Sequence, residues 1–278
     1  MLSPSKKIIN FTPTGTQTTR ENSLAPLSAS EIVEECHQAY ELGITLVHLH
    51  ARDENLKNTY KLENWEQIIQ KLRSYTPELV ICVSLSGRYF QSIEHRTEVL
   101  QLKPDMGSLT LSSMNFQTSA SVNSKDTILE LIQTMMTWGV VPELECFDSG
   151  MINFANYLIN KNILTGPHYF NVILGNLFNS QCSLTSISDI KSNLPQNSIC
   201  TIGGIGNQQL KSNMFGLLEF NGVRVGLEDN LYFKNKEKST NLQLLNRIKR
   251  LMIELDLELL TSRELRQLGY ENKLLNNR

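Results

Sequence analysis

Basic charge is not in excess in this sequence: 26 lysines and arginines face 28 aspartates and glutamates, a formal net charge of −2. The electrostatic footprint of a nucleic-acid or anionic-membrane binder is therefore missing, and neither partner is expected. No apolar run approaches the roughly 20 residues that span a bilayer. The opening MLSPSKKIINFTPTG has no apolar core of a secretory signal, so a cytoplasmic protein is expected. The five cysteines are scattered and form no C-x-x-C pair. Buried, reduced thiols are the expected reading, in place of a disulfide framework. A G-x-G-x-x-G after the first apolar run is lacking, and so is a G-x-x-x-x-G-K-[ST], which removes the usual signatures of dinucleotide and nucleotide binding. Histidine is scarce as well, with five in 278 residues.

The sequence does contain a regular alternation. Apolar runs of strand length at 7–12, 44–50, 79–86, 106–111, 140–147, 169–175, 198–204 and 221–227 are separated by amphipathic stretches of helix length. The helices are expected at 28–43, 62–75, 92–102, 126–139, 149–161, 183–194, 207–219 and 241–255. Ser28 and Glu31 have the spacing of a capping box, and Gly43 can close the first helix. Eight strand–helix units in a chain of this length predict a (β/α)8 TIM barrel. The whole chain, 1–278, reads as one domain, and the segment after 255 as a last helix with a polar end. A doubly wound sheet is the competing arrangement, but it usually needs fewer strands and a glycine-rich first turn.

In a barrel, the C-terminal ends of the strands converge on one site. Polar residues recur at those ends: Thr14 and Gln17 after the first strand, His48, His50 and Arg52 at the second, and Ser84, Ser86 and Gly87 at the third. Ser108 and Thr110 stand at the fourth, Glu143, Glu145 and Asp148 at the fifth, and Arg224, Glu228 and Asp229 at the eighth. His48 and His50 are two apart on a strand and share a face. They could ligate one metal with a carboxylate from another strand, or be hydrogen-bonded interior histidines without metal. Arg224, Glu228 and Asp229 could supply that carboxylate and a base held ionised by the arginine, or could be an ion-pair cluster closing the barrel. Glu143 and Glu145 share one face of a strand buried on both sides, so they must line a polar interior. Arg96 and Lys103 lie on or just after a helix, where long cationic side chains are usually solvated. GGIGN (203–207) follows the seventh strand, a frequent phosphate-binding position in barrels.

The segments NFTPTG, VHLHARD, KPDMGSLTLSSMNF, PELECFDSGM and GVRVGLEDNLYF occur in order at five strand ends. Together they resemble the β-keto acid cleavage enzymes, once grouped as a domain of unknown function, with 3-keto-5-aminohexanoate cleavage enzyme as type member. The resemblance runs from about residue 7 to 255. It implies a zinc-dependent barrel that converts a β-keto acid and acetyl-CoA into acetoacetate and a new acyl-CoA, and a homotetramer. It implies that His48, His50 and Glu228 bind Zn²⁺, that Asp229 is the general base, and that Arg224 and Glu145 support it. Ser84, Gly87, Ser108 and Thr110 fall where the family holds its substrate, although the type enzyme has asparagine at the position of Thr110. The type enzyme meets its substrate's ammonium with an acidic residue, and Gln17 stands there in this sequence. A neutral side chain does not neutralise a cation, so a β-keto acid with a neutral or polar R group is expected. The alternative within the same ligand set is another metal-dependent barrel aldolase or hydrolase.

Overall fold

The computed structural model describes residues 3–234 and 236–275. Eight strands form the barrel: β1 Lys6–Phe11, β2 Leu46–Leu49, β3 Val80–Val83, β4 Met106–Thr110, β5 Val141–Cys146, β6 Tyr169–Leu174, β7 Ile199–Gly204 and β8 Gly222–Val225. Each pairs in parallel with the next, and β8 returns to β1 with Phe11 opposite Val225. Around them lie α1 Ala29–Leu42, α2 Leu62–Tyr75, α3 Ile93–Thr97, α4 Lys125–Thr137, α5 Ser149–Asn160, α6 Leu184–Asn193, α7 Gln209–Glu219 and α8 Asn241–Glu254. The TIM barrel expected from the alternation is the fold.

Local chemistry sets these elements. The strands are buried on both faces, so they are mostly apolar, and the polar residues they carry, such as His48, Glu143 and Glu145, point into the barrel. Ser28 accepts from the Glu31 backbone, Glu31 accepts in return, and Gly43 closes α1 with a left-handed φ of 92°. Trp65, Ile68, Ile69 and Leu72 form the buried stripe of α2 at helical spacing. Fully burying a side chain of that size stabilises by about 1.5–3 kcal/mol.

Several elements are shorter than expected, the strands over 44–50 and 221–227 shrinking to Leu46–Leu49 and Gly222–Val225, and two more have a visible local cause. The helix over 92–102 is α-helical only at Ile93–Thr97 and tightens into a 3₁₀ turn at Glu98–Leu102. Thr97 turns its hydroxyl back onto the Ile93 carbonyl at 2.8 Å, which competes with regular winding. The strand over 79–86 ends at Val83, because serine hydroxyls then take over the backbone N–H groups. Leu85 donates to Ser108 Oγ at 3.0 Å and Ser86 to Ser84 Oγ at 3.4 Å.

The barrel's two ends differ. At the N-terminal end Ile8, Leu46, Val80, Met106, Val141, Tyr169 and Ile199 fill the interior. The tail plugs it from outside with Leu260, Leu265 of helix α9 (Ser262–Gln267) and Tyr270. Arg266 fixes the plug by donating to both Asp105 carboxylate oxygens at 2.8 Å. Polar interior residues are left a single outlet, the C-terminal ends of the strands.

Candidate active site

His48 lies on β2 and His50 just past its end, with ring centroids 5.2 Å apart. Glu228 arrives from the turn after β8, and its Oε1 lies 3.2 Å from His50 Nε2. One ligand atom from each of His48, His50 and Glu228 falls within 4.8 Å of the others. The second carboxylate oxygen of Glu228 is buried with no hydrogen-bond partner among the described residues. A buried, unsatisfied carboxylate oxygen beside two imidazoles fits a divalent cation, and two histidines with one glutamate are a catalytic zinc donor set. Gly15 opens the space. A Cβ there would stand 2.6 Å from Glu228 Cγ, and its φ of 69° is left-handed.

Behind His48 lies a support that sequence reading did not identify. His48 Nδ1 is 2.7 Å from Glu143 Oε2. The Glu143 carboxylate also accepts from Asn10 Nδ2 at 2.7 Å, Asn171 Nδ2 at 2.9 Å and Cys82 Sγ at 3.2 Å. A carboxylate on the far nitrogen of a ligating histidine fixes its tautomer and ring orientation. His48, Cys82 and Glu143 are also close enough to hold an ion, but they bond to one another beneath the cavity. Glu143 was legible as an interior acid; its partner, 95 positions away, was not.

Arg224 organises the other half. Its guanidinium reaches Asp229 Oδ2 at 2.8 Å, Glu228 Oε1 at 2.9 Å and Glu145 Oε1 at 3.6 Å. Thr110 Oγ1 donates to Glu145 Oε2 at 2.8 Å. The stem of Arg224 crosses Gly203, where a Cβ would lie 3.0 Å from the arginine's own. The first glycine of GGIGN thus serves arginine packing.

Burial and charge sort the titrating groups. Burial opposes ionising Glu228, yet His50 and Arg224 outweigh it and hold the carboxyl well below the usual range. At Asp229 burial prevails over Arg224 and lifts the carboxyl above the ordinary aspartate range. Glu228 beside it adds to the lift, and Arg224 works the other way, toward the ionised form expected of this base. Burial also lifts Glu145. Burial resists charging His48, but Glu143 and Glu228 push its pKa up to about 9. Burial lowers that of His50.

A cavity of about 550 Å³ opens here, lined by His48, His50, Ser84, Thr110, Glu145, Arg224, Glu228, Asp229 and, near the mouth, Gln17. The exposed Gln17 donates to Tyr89 Oη at 2.7 Å. Ser108 and Gly87 are buried beside the cavity, outside its lining. Ser108 holds Leu85, and a Cβ on Gly87 would stand 3.0 Å from Arg96 Nη1. Arg96 is the plainest correction. It is 4% exposed and donates to the Leu85 carbonyl at 2.7 Å and Asn123 Oδ1 at 2.9 Å. It is buried because it clamps the loop after β3, which a helix-surface reading misses. Sequence reading also missed the Met114–Asn115 and Ala120–Ser121 hairpin that carries Phe116 to the cavity. The long polar stretch after β4 was its only signal. All five cysteines are free and buried, as expected.

Residues 6–269 match the family described as beta-keto acid cleavage enzyme. The chain belongs to that family. It is 30% identical over 266 residues to the 3-keto-5-aminohexanoate cleavage enzyme of Fusobacterium nucleatum, covering 95% of this chain and 97% of the relative. It is 31% identical over 216 residues to the 3-oxoadipate:acetyl-CoA acetyltransferase of Cupriavidus necator, covering 76% of this chain and 75% of that one. Among solved structures, apo ObcA superposes with a TM-score of 0.77 at 18% identity, over 88% of this chain and 65% of that one. At that identity ObcA supports the barrel fold alone. This member of the β-keto acid cleavage family is an enzyme that acts as an acyltransferase. No helix among the described residues is long and apolar enough to cross a membrane.

Proposed function

We propose that this enzyme takes a β-keto acid and acetyl-CoA and returns acetoacetate and a new acyl-CoA. One observation carries the reading. A carboxylate outside the ligand set, Asp229, shares one cavity with the His48–His50–Glu228 cluster and is tied to it through Arg224. His48, His50 and Glu228 would hold the metal, zinc by its donor set, which supplies Lewis acidity toward the substrate's keto oxygen when bound.

The chain's own groups do the rest. The Ser84 hydroxyl donates to the carboxylate end of the β-keto acid, and Thr110, whose own hydroxyl proton goes to Glu145, lines that end. Asp229, its pKa raised by burial, removes a proton from the carbon between the keto and carboxylate groups. Arg224 stabilises the carboxylates around that carbon, and Glu145 holds Arg224 in place. The carbanion attacks the acetyl carbonyl and displaces CoA thiolate. The thiolate adds to the former keto carbon, the adjoining carbon–carbon bond breaks, and acetoacetate leaves as its enolate, which regains the proton from Asp229. Acyl-CoA is the second product, so atoms and charge balance. Gln17 at the mouth offers no charge to a cation, which favours a neutral or polar R group. The family resemblance further proposes a cytoplasmic homotetramer, for which light scattering should give one mass near four chains.

The test is acetyl-CoA dependence. A panel of β-keto acids should be consumed only when acetyl-CoA is present. Consumption at an unchanged rate without it would assign the site to an aldolase or hydrolase.

A further inference from the structure

The cavity holds a cation that the reaction above leaves unused. Arg88, in the loop after β3, lines the cavity together with Arg224. Every carboxylate of the lining, Glu145, Glu228 and Asp229, is within 4.0 Å of Arg224. No carboxylate of the described residues comes that close to Arg88.

The guanidinium of Arg88 is nonetheless built into place. Its carbon lies 3.5 Å from the centroid of the Phe116 ring, which fixes its plane. Nη1 donates to Thr16 Oγ1 at 2.7 Å, and Nε is buried without a partner. Of the five N–H groups a guanidinium offers, the one bonded to Thr16 is the only one with a hydrogen-bond partner among the described residues, and a planar fork of this kind matches a carboxylate. Burial works against the charge on Arg88, and Glu228, Glu145 and Asp229 offset it only from beyond ion-pair distance, so its free N–H groups leave room for an anion at contact distance.

The position indicates which part of the substrate the anion belongs to. Thr16 precedes Gln17, and Gln17 bonds to Tyr89, the neighbour of Arg88. These two crossings fasten the loop after β1 to the loop after β3, so Arg88 and Gln17 stand side by side. Thr118 Oγ1 reaches Gln17 Oε1 at 3.4 Å from the hairpin loop opposite. Ser84, Thr110 and Asp229 serve the reacting end in the reading above. Arg88 and Gln17 form a second polar group of the same cavity, held between the loops after β1 and β3.

We propose that Arg88, with Gln17 beside it, receives an anionic end of the R group, so that the preferred substrate is a β-keto acid carrying a second carboxylate. The proposal rests on the reading of this cavity as a β-keto acid site, and it narrows the polar R group to a negatively charged one.

The native enzyme, loaded with zinc and supplied with acetyl-CoA, should turn over 3-oxoadipate with a kcat/KM about tenfold or more above that of 3-oxohexanoate, mainly through KM. Arg88→Met should shrink that ratio by about tenfold. Gln17→Glu, which places a negative charge beside Arg88, should also move preference away from the diacid. Equal or better use of 3-oxohexanoate by the native enzyme overturns the proposal. So does an unchanged ratio in Arg88→Met, which would assign Arg88 to the substrate's common carboxylate or to the phosphates of CoA. A binding arm separates this from failure of the reaction itself. Glutarate should raise the melting temperature of the native protein more than butyrate does, and Arg88→Met should lose the difference. If no β-keto acid reacts with acetyl-CoA, the proposed reaction fails while glutarate still tests Arg88. Equal shifts by the two acids, or a difference that persists in Arg88→Met, overturn the role of Arg88.

Discussion

Nδ1 of His48 lies 2.7 Å from Oε2 of Glu143, inside the barrel and shielded from water. The contact orients the other imidazole nitrogen toward Glu228 and the cavity. Supporting carboxylates of this kind are worth about 10–100-fold in metal affinity. Glu143→Gln removes the charge while keeping the shape. Titrating zinc into metal-free protein should show weaker binding by that factor, with the circular dichroism spectrum retained. Equal affinity would mean that Glu143 only fills the interior.

Gly15 is tested through its closeness to Glu228. Alanine at this position would place a Cβ 2.6 Å from Glu228 Cγ, on a backbone whose φ of 69° is unfavourable for alanine. Gly15→Ala should lose about 1–3 kcal/mol of stability. It should also lower zinc affinity, because Glu228 must shift to make room. Native affinity in a destabilised variant would show that Glu228 is not the third ligand.

The local signals were easy to read in the sequence because they act over a few residues. Ser28, Glu31 and Gly43 bound α1 by rules of spacing alone, and His48 and His50 share a face for the same reason. The barrel followed from the order of such units. Long-range pairings were not readable. Nothing near Arg96 marks it as a buried clamp, because Asn123 and the Leu85 carbonyl reach it only after the loops fold over β3 and β4. Ser108 looked like a substrate contact by position, and its hydroxyl holds the Leu85 N–H. The balance at Asp229 was hidden for another reason. Its neighbour Arg224 is visible in sequence, and the burial that outweighs the arginine is not.

Asp229→Asn preserves the size of the side chain and removes the base. General-base catalysis is worth about 10²–10⁴-fold, and kcat should fall in that range. Metal content should be unchanged. Full turnover by Asp229→Asn would move the proton transfer to another group.

Glu35 on α1 gives a pH effect separate from catalysis. Burial raises its carboxyl to about 7, a hydrogen bond from Asn241 opposes the rise, and Glu31 adds to it. The folded chain therefore binds this proton more tightly than the unfolded chain, whose carboxyl titrates near 4.5. The associated stability is complete below about pH 4.5 and is lost as pH rises through 7. Glu35→Gln should not suffer that loss. Urea unfolding should show the variant gaining on the native protein by about 2 kcal/mol between pH 5 and pH 8. Parallel stability curves would refute the shift at Glu35.

Label tracing tests the central claim most directly. The zinc-loaded enzyme is given an unlabelled β-keto acid and acetyl-CoA carrying ¹³C in both acetyl carbons, and the products are resolved by mass spectrometry. The account predicts acetoacetate with the two labelled carbons at its methyl-ketone end, formed in equal amount with an unlabelled acyl-CoA. Unlabelled acetoacetate, or label in the new acyl-CoA, would contradict it.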